Sequence, residues 1–155
     1  MNPTSDQAKL VRGRRPGDNW VVMERKLIRV FSPKCGVKID HLYRITLLRT
    51  PFFSVKLHKI LGSDEDRYLH DHPWHYVSLI LRGSYHEERD KGSGVRRPGH
   101  LLLRKATRPH RLTLLTPYVW TLFLTSGRGR IWGFHTENGW IPHYELDNGD
   151  VIQLP

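Results

Sequence analysis

The chain has 155 residues, of which 38% are hydrophobic and 26% charged, and its formal net charge is +10. This length and composition fit one globular domain with its own core. No apolar run approaches the roughly 18 residues of a membrane span, the first residues lack a signal-peptide pattern, and a lone cysteine excludes an internal disulfide. We expect a cytosolic protein without a membrane association.

The positive charge predicts attraction to anions, either a small phosphate-bearing ligand or nucleic acid. The basic residues are scattered among predicted turns and strand ends and form no single stripe. This distribution favours a solvated basic surface over a nucleic-acid interface.

The first 18 residues are polar and basic, and contain Gly and Pro. They predict a flexible leader over 1–18, followed by one domain over 19–155. Between Asp18 and Phe31 the pattern allows a helix with Asp18 as its N-cap, although the periodicity is weak. This is the one segment with a helical interpretation.

Beyond this segment the pattern is that of short strands. Apolar, β-branched and aromatic residues alternate with polar ones and are separated by Gly and Pro turn formers. Many short strands at regular spacing predict an all-β sandwich or barrel. The predicted strands are 42–48, 53–60, 76–81, 100–103, 111–115, 118–124 and 131–134.

Ten histidines are present, and three of them form a pattern of metal ligands. His70 and His72 are two residues apart, so on a strand both imidazoles face the same side. His110, next to Pro109, lies at the start of a later predicted strand. Two ligands on one strand and a third on its neighbour can bind one face of an ion and leave positions open for substrate.

The spacing of these residues resembles the two motifs of the cupin superfamily. His70 and His72 are followed by Tyr76 and Gly83, and ten residues separate Gly99 from His110. More narrowly, the segments 69–75 and 81–85 resemble a group of small cupins, some of them phage-borne. The resemblance implies a single-domain jelly-roll barrel, the double-stranded β-helix, and a homodimer as the default assembly, since many cupins pair through their edge strands.

Two departures from the cupin motifs bear on the metal. Tyr76 stands where many cupins have a glutamate ligand, and Lys105-Ala106-Thr107 replaces the Pro-x-Gly turn of the second motif. The missing carboxylate favours a three-histidine site, similar to that of the thiol dioxygenases. Three neutral imidazoles leave the charge of the ion intact for an anionic substrate. We expect one divalent metal ion, Fe(II), with zinc, manganese and nickel as alternatives.

Strand parity suggests further residues of the cavity. With His70 facing inward, Trp74, Tyr76 and Ser78 share its face, whereas Asp71 points away and is expected to brace a loop or pair with an arginine. Tyr76 is the candidate catalytic residue, a hydrogen-bond donor to substrate. For Glu87 a role in orienting a ligand imidazole is an alternative. The candidate substrate-binding residues are His58, Trp74, Ser78, Glu87 and His135.

Three functions remain open at this point. The first is a non-haem iron dioxygenase-like enzyme acting on a small anionic substrate, such as a thiol acid. The second is a sugar-nucleotide epimerase or isomerase, for which the sequence shows no His–Asp pair with a matching tyrosine. The third is a non-catalytic module that binds a nucleotide or another small ligand. Because cupins host many unrelated functions, the fold does not choose among them.

Overall fold

The computed structural model describes residues 20–32, 34–64, 68–146 and 150–154. The leader predicted over 1–18 lies outside these residues, as does the remainder of the N-terminal segment up to residue 19. Within the described part of the chain, no helix is long and apolar enough to cross a membrane.

Strands dominate the described residues, and the one α-helix among them is a single turn. The elements in chain order are β1 (Val21–Ser32), β2 (Val37–Arg49), β3 (Phe53–Ile60), β4 (Leu69–His70), β5 (Tyr76–Arg82), β6 (Tyr85–Arg89), β7 (Ser93–Arg96), β8 (Leu101–Arg104), β9 (His110–Leu114), β10 (Val119–Ser126), β11 (Gly133–Thr136), β12 (Gly139–Pro142), α1 (His143–Leu146) and β13 (Asp150–Leu154).

These strands form two antiparallel sheets. The first sheet has the order β13-β1-β2-β3-β10-β5-β8, and the second has the order β12-β11-β4-β9-β6-β7. Strands distant in sequence therefore lie side by side, as β3 and β5 do on either side of β10. This topology brings β4 and β9, which carry the three candidate ligands or begin next to them, together in the second sheet.

The predicted strands agree closely with the observed ones. Phe53–Ile60 has the predicted bounds, and Tyr76–Arg82 extends the prediction by one residue. The helical interpretation of Asp18–Phe31 is wrong, because Val21–Ser32 is the strand β1. It pairs with β2 along its length and with β13 on its other side. These long-range hydrogen bonds override a local pattern that was ambiguous.

The glycine of the first histidine motif has a structural explanation. Gly83 lies in the turn between β5 and β6 and has φ +80°, which favours glycine. A Cβ atom at this position would also overlap the carbonyl oxygen of Tyr118. The motif therefore requires glycine here for backbone conformation and for space, whatever the chemistry of the histidines.

A small apolar core lies between the sheets. Ile80, Tyr85, Leu102 and Val119 are almost completely buried, with Leu112 and other side chains packed around them. Ile80 follows Tyr76 by four residues on β5, so this core begins about 13 Å further along the strand than Tyr76. The space beside Tyr76 is lined instead by polar and aromatic side chains, and it forms the candidate site.

Candidate metal centre

The three predicted ligands meet between neighbouring strands of the second sheet. His70 ends β4 and His110 begins β9, and the two residues are directly paired in the antiparallel ladder. His72 lies just beyond β4, where its backbone N–H donates a hydrogen bond to the carbonyl oxygen of Ala106. The strand is thus shorter than the His-x-His prediction assumed, yet the rings of His70 and His72 still lie 5.3 Å apart.

The donor atoms of the three histidines fit one metal ion. One imidazole nitrogen from each residue lies within 4.8 Å of the other two. The Nε2 atoms of His72 and His110 are 2.8 Å apart, so both can lie about 2.1 Å from a common ion, the usual distance for an imidazole ligand. Among the described residues, this is the cluster of metal-ligating side chains.

Two of these histidines are held in the neutral form that a metal ligand requires. Burial lowers the pKa of His70 to about 4, although the nearby carboxylate of Asp64 acts in the opposite direction. Burial and the neighbouring His110 and His70 hold the pKa of His72 well below its usual range. Their lone pairs are therefore available at neutral pH.

Glu87 lies directly behind His110. Its side chain is buried, and its Oε1 atom lies 3.2 Å from His110 Nδ1. Arg96 and Arg104 each donate a hydrogen bond of 2.7 Å to Oε2. Burial alone would raise the pKa of Glu87, but the hydrogen bonds from His110, Arg104 and Arg96 outweigh it and hold the pKa well below its usual range. With Nδ1 of His110 donating to this carboxylate, Nε2 is left to bind a metal ion.

Asp71, between the two ligands of β4 in sequence, serves a different part of the molecule. Its carboxylate accepts hydrogen bonds from the backbone N–H of Gly133 at 2.8 Å and from Trp140 Nε1 at 3.0 Å. Arg130 forms an ion pair with it at 2.7 Å. The prediction that Asp71 points away from the ligands and pairs with an arginine is confirmed.

The sequence gave no indication of a role for Asp64 or His41. Asp64 is buried next to His70, with Oδ2 3.9 Å from His70 Nδ1. Its Oδ1 atom lies 3.3 Å from His41 Nε2, and Oδ2 accepts a 2.7 Å hydrogen bond from the backbone N–H of Leu112. Burial would raise the pKa of Asp64, but the charges of His70 and His41 and these hydrogen bonds hold it well below its usual range. Asp64 follows β3 in a loop, so its position depends on tertiary packing alone.

A cavity of about 120 Å³ opens beside the three histidines. Trp74, Tyr76 and Ser78 line it together, as parity predicted, and His58 lines it from β3. Its other lining residues are His41, Leu42, Arg44, Ile60, Asp64, Tyr85, Leu112, Thr121 and Phe123, in addition to the three ligands.

The aromatic residues of the cavity are packed against the ligands. The ring of Tyr76 lies 4.9 Å from that of His72 and is stacked on Phe123 at 4.6 Å. Burial and the nearby carboxylate of Glu87 hold the pKa of Tyr76 well above its usual value, so its hydroxyl is a proton-bearing donor. Nε1 of Trp74 is buried and has no hydrogen-bond partner among the described residues.

Arg44 is a further cavity residue that the sequence analysis did not single out. Its Nε donates a hydrogen bond of 3.1 Å to Nε2 of His58. Burial and the positive charges of Arg44 and Lys56 hold the pKa of His58 well below its usual range, so His58 is a neutral acceptor. Burial lowers the pKa of Arg44 itself to about 10. Among the described residues, no carboxylate lies within ion-pair distance of Arg44.

Two of the predicted substrate-binding residues do not line this cavity. Glu87 lies behind His110, as described above, where its contacts are with protein side chains. His135 is on β11, with Nε2 3.3 Å from Asp71 Oδ2, and its side chain is more than a third exposed. Its register partner on β12 is Trp140. Both residues belong to the surroundings of the site.

Comparison with known proteins places this geometry in a fold. The sequence matches no family profile and no curated protein. Among solved structures, the chain is similar to an RmlC-like cupin from Shewanella frigidimarina, with 20% identity over 55% of this chain and 75% of that one and a TM-score of 0.47. It is also similar to a cupin superfamily protein from Desulfitobacterium hafniense, with 13% identity over 61% and 87% of the two chains and a TM-score of 0.47.

A third similar structure is that of FeII HppE. Its identity with this chain is 18%, over 72% of this chain and 62% of HppE, and the TM-score is 0.51. At such identities the likeness concerns the fold and not the activity. Given the two antiparallel sheets and the cluster of three histidines between their strands, the chain adopts the cupin fold, an all-β jelly-roll barrel with a candidate metal site.

Proposed function

We propose that this chain is a metal-dependent enzyme of the non-haem Fe(II) dioxygenase type that acts on a small anionic substrate. The observation that carries the proposal is the shared cavity of Arg44 and the three histidines. The histidines supply a site for the ion, and Arg44 supplies a positive charge that no described carboxylate neutralises.

Arg44 is suited to bind a carboxylate or a phosphate-like group. A guanidinium that is removed from water loses hydration, and its burial is costly unless an anion compensates it. Its one described side-chain partner is the neutral imidazole of His58. The nearby carboxylate of Glu24 is already shared by Arg49 at 3.3 Å and Lys26 at 3.1 Å. An anionic substrate would complete the hydrogen bonding of Arg44, and the planar fork favours bidentate binding.

His70, His72 and His110 would hold the metal ion. When bound, Fe(II) supplies electrons for the reaction with dioxygen and Lewis acidity toward a substrate anion. The protein contributes neutral imidazoles, which leave the positive charge of the ion intact. Glu87 fixes the orientation of His110, and the walls of the cavity exclude bulk water from the reacting groups.

Tyr76, Trp74 and Ser78 would position the substrate between Arg44 and the ion. The Tyr76 hydroxyl keeps its proton at neutral pH, and Trp74 Nε1 is a buried donor without a described partner. The cavity of about 120 Å³ is smaller than the roughly 300–1,000 Å³ typical of sites for drug-sized ligands. We therefore expect a compact substrate, such as a short thiol acid, carboxylate or phosphonate.

One observation favours a second candidate, an isomerase or epimerase. Asp64 lies within 3.3 Å of His41, and both residues line the same cavity as Tyr76. The structure therefore contains a His–Asp pair near a tyrosine, the combination of proton-transfer groups that was not recognisable in the sequence. Such chemistry would exchange a substrate proton with solvent and would consume no oxygen.

Metal binding is tested first, by plasma mass spectrometry on protein purified without a histidine tag. We expect near-stoichiometric iron in the wild type and its loss in His72→Ala. His100→Ala is the matched control, because His100 is exposed and is not part of the cluster. Zinc or nickel in place of iron would move the proposal toward the isomerase. A chain that takes up no divalent metal would contradict both metal-dependent readings.

The anion site is tested by binding and turnover with a panel of small thiol acids, carboxylates, phosphonates and sugar phosphates. Tryptophan fluorescence reports binding, since Trp74 lines the cavity. We expect Arg44→Met to weaken binding by about 10- to 100-fold and Arg44→Lys to weaken it less, while metal content stays constant. Oxygen uptake with a bound compound supports the dioxygenase, and solvent deuterium incorporation without oxygen uptake supports the isomerase. Equal binding by Arg44→Met would contradict the assigned role of Arg44.

A further inference from the structure

The first sheet has an unusual distribution of polarity between its two faces. Its inner face carries polar or aromatic side chains at the cavity, including Lys56, His58 and Ser78, all buried. The side chains that alternate with them point to the outer face, and on β3, β5, β8 and β10 these are mostly Val and Leu. The outer face is therefore more apolar than the inner one.

The apolar side chains of the outer face form two continuous rows across neighbouring strands. In each row, every residue is the direct register partner of the next. The first row crosses six strands and consists of Val22, Leu48, Val55, Leu124, Val77 and Leu103. The second row crosses five strands and consists of Ile45, Leu57, Leu122, Leu79 and Leu101.

Several of these side chains are widely exposed to solvent in the single chain. The exposed fractions are 70% for Val22, 43% for Leu124, 59% for Leu101 and 67% for Leu103. The short helix α1 packs against β11 and β12 of the second sheet. Among the described residues, nothing shields these four aliphatic side chains from water.

The size of this surface exceeds what a small ligand needs. With strands about 4.8 Å apart, the first row extends roughly 24 Å, and the two rows together occupy roughly 24 by 14 Å. Contiguous apolar patches of a few hundred Å² on soluble proteins mark interaction sites. The patch is the size expected for the apolar centre of a standard protein interface, which buries about 800 Å² per partner with its polar rim included.

We propose that this outer face is the interface of a homodimer, with a second copy of the chain packed face to face upon it. A flat, uncharged surface is complementary to itself, so two copies related by a twofold axis can bury it in an isologous contact. Two sheet faces pack about 10 Å apart with interdigitating aliphatic side chains. This contact differs from edge-strand pairing, because β10 is flanked on both sides by β3 and β5.

The surrounding residues support a protein partner of this kind. Lys59 and Arg82 lie at one border of the patch, where both contact the ring of Tyr118, at 4.7 and 5.6 Å. Arg25 continues the second row on β1. Charges at the border and aliphatic residues in the centre are the usual arrangement of an interface. The N-terminal 19 residues are mostly polar and basic in sequence, so they are poorly suited to cover eleven aliphatic side chains.

The experiment is sedimentation velocity on the full chain over a concentration series. We expect a dimer for the wild type and a dissociation constant at least about 100-fold higher for Leu124→Asp and for Leu103→Asp, because each places two charges in the buried contact. Leu115→Asp is the matched control, since Leu115 is 55% exposed but lies in the loop after β9, outside both rows. Circular dichroism and metal content verify that each variant is folded.

Three results would overturn the proposal. One is a wild type that stays monomeric at every concentration. Another is a dimer that Leu124→Asp does not weaken, which would place the contact at a strand edge or elsewhere. The third is a monomer that sediments with vesicles containing anionic lipid and is released by Leu124→Asp, which would assign the face to a membrane surface.

Discussion

Two buried carboxylates close to the three histidines, Glu87 and Asp71, invite comparison. Both side chains are about 1% exposed, and both form ion pairs with arginine at 2.7 Å. Glu87 contacts the imidazole of a candidate ligand, His110. Asp71 lies between His70 and His72 in sequence, yet its hydrogen bonds go to the backbone of Gly133, to Trp140 and to His135, not to either ligand ring.

The difference shows that proximity in sequence does not define a role at the site. Asp71 ties the segment after β4 to β11 and β12, so it supports the local fold on which two ligands depend. Glu87 comes from β6 and reaches His110 because β6 pairs with β9. We therefore expect the loss of Asp71 to reduce stability and the loss of Glu87 to reduce metal affinity.

The largest effect is expected for Asp71→Ala. This substitution leaves the N–H of Gly133 and the indole of Trp140 without their acceptor, and Arg130 without its counter-ion. We expect a loss of about 2–4 kcal/mol in the free energy of unfolding, measured by urea denaturation. Asp90→Ala is the control, because its ion pair with Arg108 is exposed and should contribute less than about 1 kcal/mol.

A small change in stability with a large loss of metal would reverse the assignment. It would mean that Asp71 acts on the ligands through the chain rather than on the attachment of β11. The comparison with Glu87 would then lose its basis.

The next effect concerns Glu87→Gln. The amide keeps the shape of the side chain but loses the charge that orients His110 and balances Arg96 and Arg104. Changes to groups that hold a metal-binding histidine typically cost about 10- to 100-fold in affinity, and we expect this range for iron or zinc. Competition with a chromophoric chelator measures it.

The neighbouring residue supplies the control for this experiment. Glu88→Gln alters an equivalent side chain on the same strand, but Glu88 is half-exposed and pairs with Arg111. It should leave metal affinity unchanged. Equal losses in both variants would indicate a general electrostatic effect and not a specific bond to His110.

Much of this architecture could be predicted from the sequence because it rests on local patterns. The alternation in Phe53–Ile60 and Tyr76–Arg82 identified strands, and the His-x-His pair with a distant His110 identified the cluster. Strand parity was sufficient to place Trp74, Tyr76 and Ser78 in one cavity. Each of these inferences needs only a period of two and a turn at each end.

The remainder depends on which strands become neighbours. In Leu42-Tyr43-Arg44 the alternation is visible, but only the pairing of β2 with β3 shows that Arg44 faces inward toward His58. Asp64 has no periodic context at all, since it lies in the loop after β3. The strand β1 was ambiguous for the same reason, as its hydrogen bonds run to β2 and β13.

The smallest effect is expected for Tyr76→Phe, which tests a third kind of residue at the same site. Tyr76 neither holds a ligand by a hydrogen bond nor braces the fold through one, and its ring contacts to His72 and Phe123 are retained by phenylalanine. Metal affinity and stability should therefore change little. If the hydroxyl donates to a bound anion, the fluorescence-measured affinity for the best compound of the panel should fall by about 3- to 10-fold, the value of one neutral hydrogen bond. A loss of metal in this variant would instead place the hydroxyl at the ion, where the cupin motif has its glutamate, and would make Tyr76 part of the ligand set rather than of the substrate site.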